Sequence, residues 1–165
     1  VKAYNEQMMT RLTNIQHGIL AEEMELHRQY CADFGISREQ MLDIKPSLFN
    51  RTYTANMLAV GQTGDLAEIL ATLFPCAWTY SDYAQRLKQQ YAEQLEGNFH
   101  KSWIESYAGE DFAASYEWFY DAIDEMVERK TDAQRERVAD IFASSVECEY
   151  LFWDMAYKRE LSYSL

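Results

Sequence analysis

Two prolines and six glycines are all the strong helix breakers that 165 residues contain. Most of them fall between stretches whose apolar residues recur every three to four positions, the period of an amphipathic helix. Alternation of the kind that makes a strand is absent, as are repeats and low-complexity tracts. The chain is therefore expected to be all-α, and long helices with short connections predict antiparallel packing in a bundle. The first helix runs from Val1 to about Phe34, with Gly35 as its C-terminal cap. Ser37 opens a short helix, and Gln40 completes a capping box. A loop through Pro46 follows, then a helix capped by Asn50 that ends at "GQTG". Asp65 caps a long helix through Pro75 to about Glu96. Further helices are expected over Trp103–Tyr107, from Gly109 through "DFAASYEWFYDAIDEMVERK", and from Thr131 or Asp132 to about Lys158.

Residues 1–165 are read as a single domain, since this length suffices for one real core. Apolar residues make up 48% and aromatics 15%, which excludes a disordered chain. Tyr4, Tyr116, Trp118, Phe119 and Tyr120 exceed what one bundle core is expected to bury, so an interface or further helices should cover them. The chain starts at Val1 already inside a helical pattern, from which we expect the natural N-terminus to lie upstream.

A net charge of −12 excludes the clustered basic face of a nucleic-acid binder and disfavours anionic membranes. No apolar run approaches the ~20 residues of a membrane span. Cys31, Cys76 and Cys148 are odd in number and lack zinc spacing, the usage of a reducing, cytoplasmic compartment.

Three places could carry chemistry. In "LFPCAWTYSDY" a proline precedes Cys76, and Tyr80 and Tyr83 follow at i+4 and i+7 on the cysteine's face. A proline inside a helix removes a backbone hydrogen bond and bends the axis. Alone, a buried helical cysteine is more often a small hydrophobe than a nucleophile. In "SSVECEYLFWDMAYKRE" Glu149 has Phe152 at i+3 and Trp153 at i+4. It lies either at a helix surface or at a pocket wall, where burial would raise its pKa toward acid–base use. Glu147 and Asp154 read as solvated acids. In "AEEMELHRQY" Glu23 and His27 share a face at i, i+4. That spacing can hold a metal, although a di-metal bundle site needs more ligands, and a hydrogen-bonded histidine is the commoner outcome.

Taken together, "RTYTANML", "FPCAWTY", "WIESYAGEDF", "CEYLFWDMAYKRE" and the early "EEMELH" resemble the TenA family, also called thiaminase II, across essentially the whole chain. The resemblance implies a heme-oxygenase-like all-α fold that binds no heme. It implies hydrolysis of thiamin-related aminopyrimidines, giving hydroxymethylpyrimidine in thiamin salvage with no cofactor and no metal. Carried over residue by residue, Cys76 would be the nucleophile and Glu149 the acid–base. Tyr80 would assist or position Cys76, and Tyr53 and Tyr107 would line the pocket. Assembly as a homo-tetramer is implied as well.

Members of the family begin with further helices, one of which carries an aspartate that grips the pyrimidine, and no residue here is assigned to it. Cys148 stands where the pattern has an aromatic, and the run from Ser144 and Ser145 to Glu149 is one residue longer. Two other readings remain: a metal-dependent oxidase on the same kind of fold, built on Glu23 and His27, and a non-catalytic pyrimidine-binding or regulatory protein.

Overall fold

The computed structural model describes residues 5–160. Among them every regular element is a helix. Val1–Pro46 and Ser47–Leu165 form two compact units.

In the first unit Asn5 caps α1 (Glu6–Gly18) by accepting the Met8 N–H at 2.8 Å. The start of this helix at Val1, expected from the sequence, and Tyr4 lie outside the described residues. The axis does not continue unbroken to Phe34. Ile19–Glu23 is a π-helical turn, in which the Met24 N–H reaches back five residues to the Ile19 carbonyl. α2 follows over Met24–Asp33. Gly35 takes φ +75, where a glycine carries no Cβ penalty. There the Ile36 N–H bonds the Cys31 carbonyl and the Gly35 N–H bonds the Ala32 carbonyl, both at 2.9 Å, closing the helix end. Ser37 and Gln40 form the expected capping box of α3 (Arg38–Asp43).

In the second unit Ser47, not Asn50, caps α4 (Leu48–Thr63): the Asn50 N–H donates to Ser47 Oγ at 3.2 Å. Asn50 is thus the third helical residue, the position whose orphan N–H a cap satisfies. Gly64 and Asp65 then reverse the chain. A Cβ on Gly64 would stand 2.6 Å from Glu68 Oε2 and 2.8 Å from the Val60 carbonyl, so only glycine lets Glu68 reach back to the cap. Asp65 and Glu68 form a reciprocal capping box on α5 (Leu66–Gln90). This helix ends at Gln90 rather than near Glu96. Tyr91 leaves the helical region at φ −115, and Ala92–Gln94 tighten into a 3₁₀ turn before Gly97 at φ +75.

α6 (Lys101–Tyr107), α7 (Glu110–Tyr116) and α8 (Trp118–Glu128) follow. The last two were expected as one helix. They part at Glu117, where the Trp118 indole N–H and the Ser115 hydroxyl bond the carbonyls of Ser115 and Phe112, competing with the helix's own bonds. Thr131, with Gln134, caps α9 (Asp132–Lys158), which closes on Arg159 at φ +59.

α5 packs against α4, α6, α7, α8 and α9 and is the centre of the unit. Leu70, Ala71 and Phe74 are almost wholly buried. The Phe74 ring meets Phe119 at 5.2 Å, Tyr120 at 4.8 Å and Tyr116 at 5.9 Å. Tyr116 and Phe119 are therefore core residues and not surplus rings, while Tyr120 stays 46% exposed. The expectation of a purely antiparallel bundle also fails. Thr72 pairs with Ser145, Cys76 with Glu149 and Tyr80 with Trp153. Both partners advance together along the sequence, so α5 and α9 run parallel. α6, α7 and α8 carry the chain back between them.

Candidate active site

Glu149 sits on α9 with its neighbours Phe152 and Trp153, and only 2% of its surface is exposed. A buried carboxylate needs donors, and two other helices supply them. From α4, Tyr53 donates its hydroxyl to Glu149 Oε1 at 2.6 Å. From α5, Cys76 hydrogen-bonds the same carboxyl group. Burial pushes the Glu149 carboxyl above its ordinary range, and the bonds from Tyr53 and Cys76 hold it partly back. Tyr53 moves far upward, first through burial and then through the adjacent Glu149 carboxylate, so it stays a phenol and a donor.

Cys76 follows Pro75 in the interior of α5. The proline has no N–H, so the Ala71 carbonyl loses its helical partner. Cys76 is an exposed residue, whereas Cys31 and Cys148 are half-buried. Cys148 neighbours Glu149 in sequence, yet burial and the charges of Glu147 and Glu149 raise its thiol pKa and keep it protonated. The cysteine that bonds the carboxyl is also the most exposed of the three.

Tyr80 and Tyr107 belong to an adjoining wall of rings. Tyr80 meets Tyr107 at 5.1 Å and Trp153 at 5.4 Å. Trp103 meets Tyr107 at 4.9 Å and Trp153 at 5.8 Å. Tyr107 is 3% exposed, so it braces the wall from behind. The structure thus gathers Tyr53, Cys76 and Glu149 into one hydrogen-bonded group and Tyr80 and Tyr107 into the adjacent cluster. Tyr83, on the same sequence face as Cys76, is 36% exposed and is in none of these ring pairs.

Trp103 and Asn56 were missed by the sequence reading. Trp103 precedes Tyr107 by one turn in "WIESY", a signal that was present. Asn56 follows Tyr53 by three residues on α4. Its Nδ2, like Trp153 Nε1, is buried with no hydrogen-bond partner, and each lies one turn from a member of the Tyr53–Glu149 pair. Both are donors that a bound acceptor could use.

Glu23 and His27 stand 3.8 Å apart on partly exposed helix surface. Among the described residues no group of three or more His, Cys, Asp or Glu could hold a metal ion. No described helix is long and apolar enough to cross a membrane.

Residues 1–159 match the TENA/THI-4/PQQC family. An aminopyrimidine aminohydrolase of Helicobacter pylori is 35% identical over 158 residues, covering 96% of this chain and 72% of that protein. A second, from Halalkalibacterium halodurans, is 31% identical over 161 residues, covering 98% of this chain and 71% of its own. Among solved structures, a TenA homologue from P. horikoshii OT3 superposes with a TM-score of 0.80 at 22% identity, over 95% of this chain and 71% of that one. This last likeness carries the fold, the TenA-like helical architecture expected from the motifs.

Proposed function

We propose, from the premise that this chain belongs to the TENA/THI-4/PQQC family, that it hydrolyses thiamin-related aminopyrimidines with Cys76 as nucleophile and Glu149 as acid–base. The observation that carries this reading is the convergence of Tyr53 and Cys76 on the buried Glu149 carboxyl group from two different helices. Relatives named aminopyrimidine aminohydrolase support the substrate class.

The chemistry follows from that group. Glu149, as carboxylate, takes the thiol proton of Cys76 along their hydrogen bond. The sulfur then forms a bond to an electrophilic carbon of the pyrimidine ring. The proton passes from Glu149 to a ring nitrogen, which accepts the displaced electron pair. With the ring thus loaded, the substrate's protonated amine leaves the exocyclic methylene as neutral ammonia, or the thiazolium leaves as neutral thiazole, taking the bonding electrons. Water adds to that carbon, and Glu149 removes its proton. The C–S bond breaks last as the ring nitrogen gives its proton back to the departing sulfur, restoring the thiol and releasing hydroxymethylpyrimidine, and Glu149 passes the water proton to solvent. Two easier displacements replace one hard one. A carboxyl held above its ordinary range is a better base than an ordinary solvated one, and it keeps the proton it must donate to higher pH. Tyr53 stays protonated and keeps the carboxyl oriented. Tyr80 positions Cys76, Tyr107 backs the ring wall, and Asn56 and Trp153 offer donors to the substrate.

Limiting iodoacetamide tests the assignment. Cys76 should be alkylated ahead of Cys31 and Cys148, and release of hydroxymethylpyrimidine from thiamin or aminomethylpyrimidine should fall in proportion to the Cys76 adduct. Labelling of Cys31 or Cys148 with Cys76 untouched, or full turnover by alkylated protein, would overturn it.

The reading extends to a cytoplasmic homo-tetramer. Exposed Tyr120, Tyr150 and Tyr157 support a subunit interface, where aromatics are enriched. Light scattering coupled to size exclusion should give four times the chain mass, and a monodisperse monomer at micromolar concentration would remove this part of the reading.

A further inference from the structure

We infer that the buried hydroxyl pair Thr72–Ser145 is a positioning device that sets the register at which Cys76 meets Glu149. The inference rests on the roles proposed above for those two residues. The hydroxyls lie 2.9 Å apart, on α5 and α9. Thr72 is 1% and Ser145 0% exposed. Each is one helical turn before its catalytic neighbour: Thr72 before Cys76, Ser145 before Glu149. The pairs Thr72–Ser145, Cys76–Glu149 and Tyr80–Trp153 all share the same separation of 73 residues. They form three rungs between parallel helices, with the reacting pair in the middle.

The middle rung needs outside support because of Pro75. The missing bond from residue 75 to the Ala71 carbonyl falls in the turn that joins Thr72 to Cys76. The backbone there is less able to hold Cys76 at a fixed height. The rungs on either side differ in what they can fix. The Tyr80–Trp153 rings meet at 5.4 Å, and ring pairs tolerate centroid distances from about 4.5 to 7 Å. A hydroxyl–hydroxyl bond is narrow in length and angle. A slip of one helix rise, about 1.5 Å, weakens it far more than it weakens a ring contact. A buried polar pair penalises other registers, because slipping leaves both hydroxyls buried without partners.

Thr72→Val keeps the shape and removes the bridge. Glu149 is faced by Tyr53 from α4 and Cys76 from α5, and both bonds hold its carboxyl down. If register is lost the Cys76 bond loosens, and the carboxyl should titrate at higher pH. The readout is ¹³C NMR of carboxyl-labelled glutamate, with the Glu149 signal identified by its loss in Glu149→Gln. Thr72→Val, and Ser145→Ala separately, should raise that midpoint and lower kcat roughly 10- to 100-fold with KM within about threefold. Thr72→Ser should restore both. A Glu149 midpoint unchanged in the folded Thr72→Val protein would overturn the inference, whatever the change in melting temperature. If the wild-type protein does not turn over an aminopyrimidine, the proposed function fails, and the NMR titration still decides whether the bridge positions the pair.

Discussion

Cys76→Ser should lower kcat for aminopyrimidine hydrolysis on the order of 10³-fold or more. Loss of a covalent nucleophile is among the largest single effects known in enzymes. Serine keeps the size and the hydrogen-bonding capacity, so the contact with Glu149 can persist and the fold should be unchanged. What disappears is the soft, readily ionised sulfur: a hydroxyl in the same place stays protonated at neutral pH and adds poorly to a ring carbon. Mass spectrometry adds a second readout. Wild-type protein quenched in turnover should carry a pyrimidine adduct on Cys76, and the serine variant should carry none. Turnover within tenfold of wild type, with a normal circular dichroism spectrum, would place the nucleophile elsewhere.

Glu149→Gln should cost roughly 10²- to 10⁴-fold in kcat, the range for removing a general acid–base group. Glutamine accepts the Tyr53 hydrogen bond and fills the same space, but it can neither take the thiol proton nor deliver one to a ring nitrogen. The variant also has a stability signature with a defined sign. Burial raises the Glu149 carboxyl in the folded state above its ordinary value. The folded protein therefore binds a proton that the unfolded chain releases, and that contribution is full below the unfolded pKa. It is lost as pH rises through the folded pKa. Glutamine has no such dependence. The melting temperature of Glu149→Gln relative to wild type should thus climb as pH rises from the unfolded carboxylate range through the raised folded pKa. A flat difference would mean that the carboxyl titrates as it does in the unfolded chain.

The helices were legible where the sequence carries local signals. Ser37 with Gln40, Asp65 with Glu68 and Thr131 with Gln134 cap their helices by reciprocal bonds between neighbours in sequence. The errors arose where the decision was not local in that way. Asn50 is as good a cap residue as Ser47, and only the position of Pro46 and the first helical turn chooses between them. The π-helical turn at Ile19–Glu23 leaves the apolar pattern nearly unchanged, so a period count passes over it. The end of α5 at Gln90 has no proline or glycine to mark it. The parallel course of α5 and α9 depends on how three short helices carry the chain back, which no pattern within either long helix encodes.

For the site, motif order named Tyr53, Cys76, Tyr80, Tyr107 and Glu149. Periodicity alone could relate Cys76 only to Tyr80 and Tyr83, and Glu149 only to Phe152 and Trp153. That Tyr53 and Cys76 meet at one carboxyl is a tertiary fact, since Tyr53 and its acceptor are 96 positions apart in sequence.

The three rungs between α5 and α9 also decide where the gene can gain or lose codons. Each rung is separated from the next by four residues on both helices, so a single insertion or deletion between Thr72 and Cys76 turns the thiol by about 100° around its helix. The same change between Ser145 and Glu149 turns the carboxyl away instead. In the exposed turn around Gly97, between α5 and α6, length changes leave every rung opposite its partner. Lineages that carry this site should therefore accumulate indels around "EGNFH" and almost none within "TLFPC" or "SVECE".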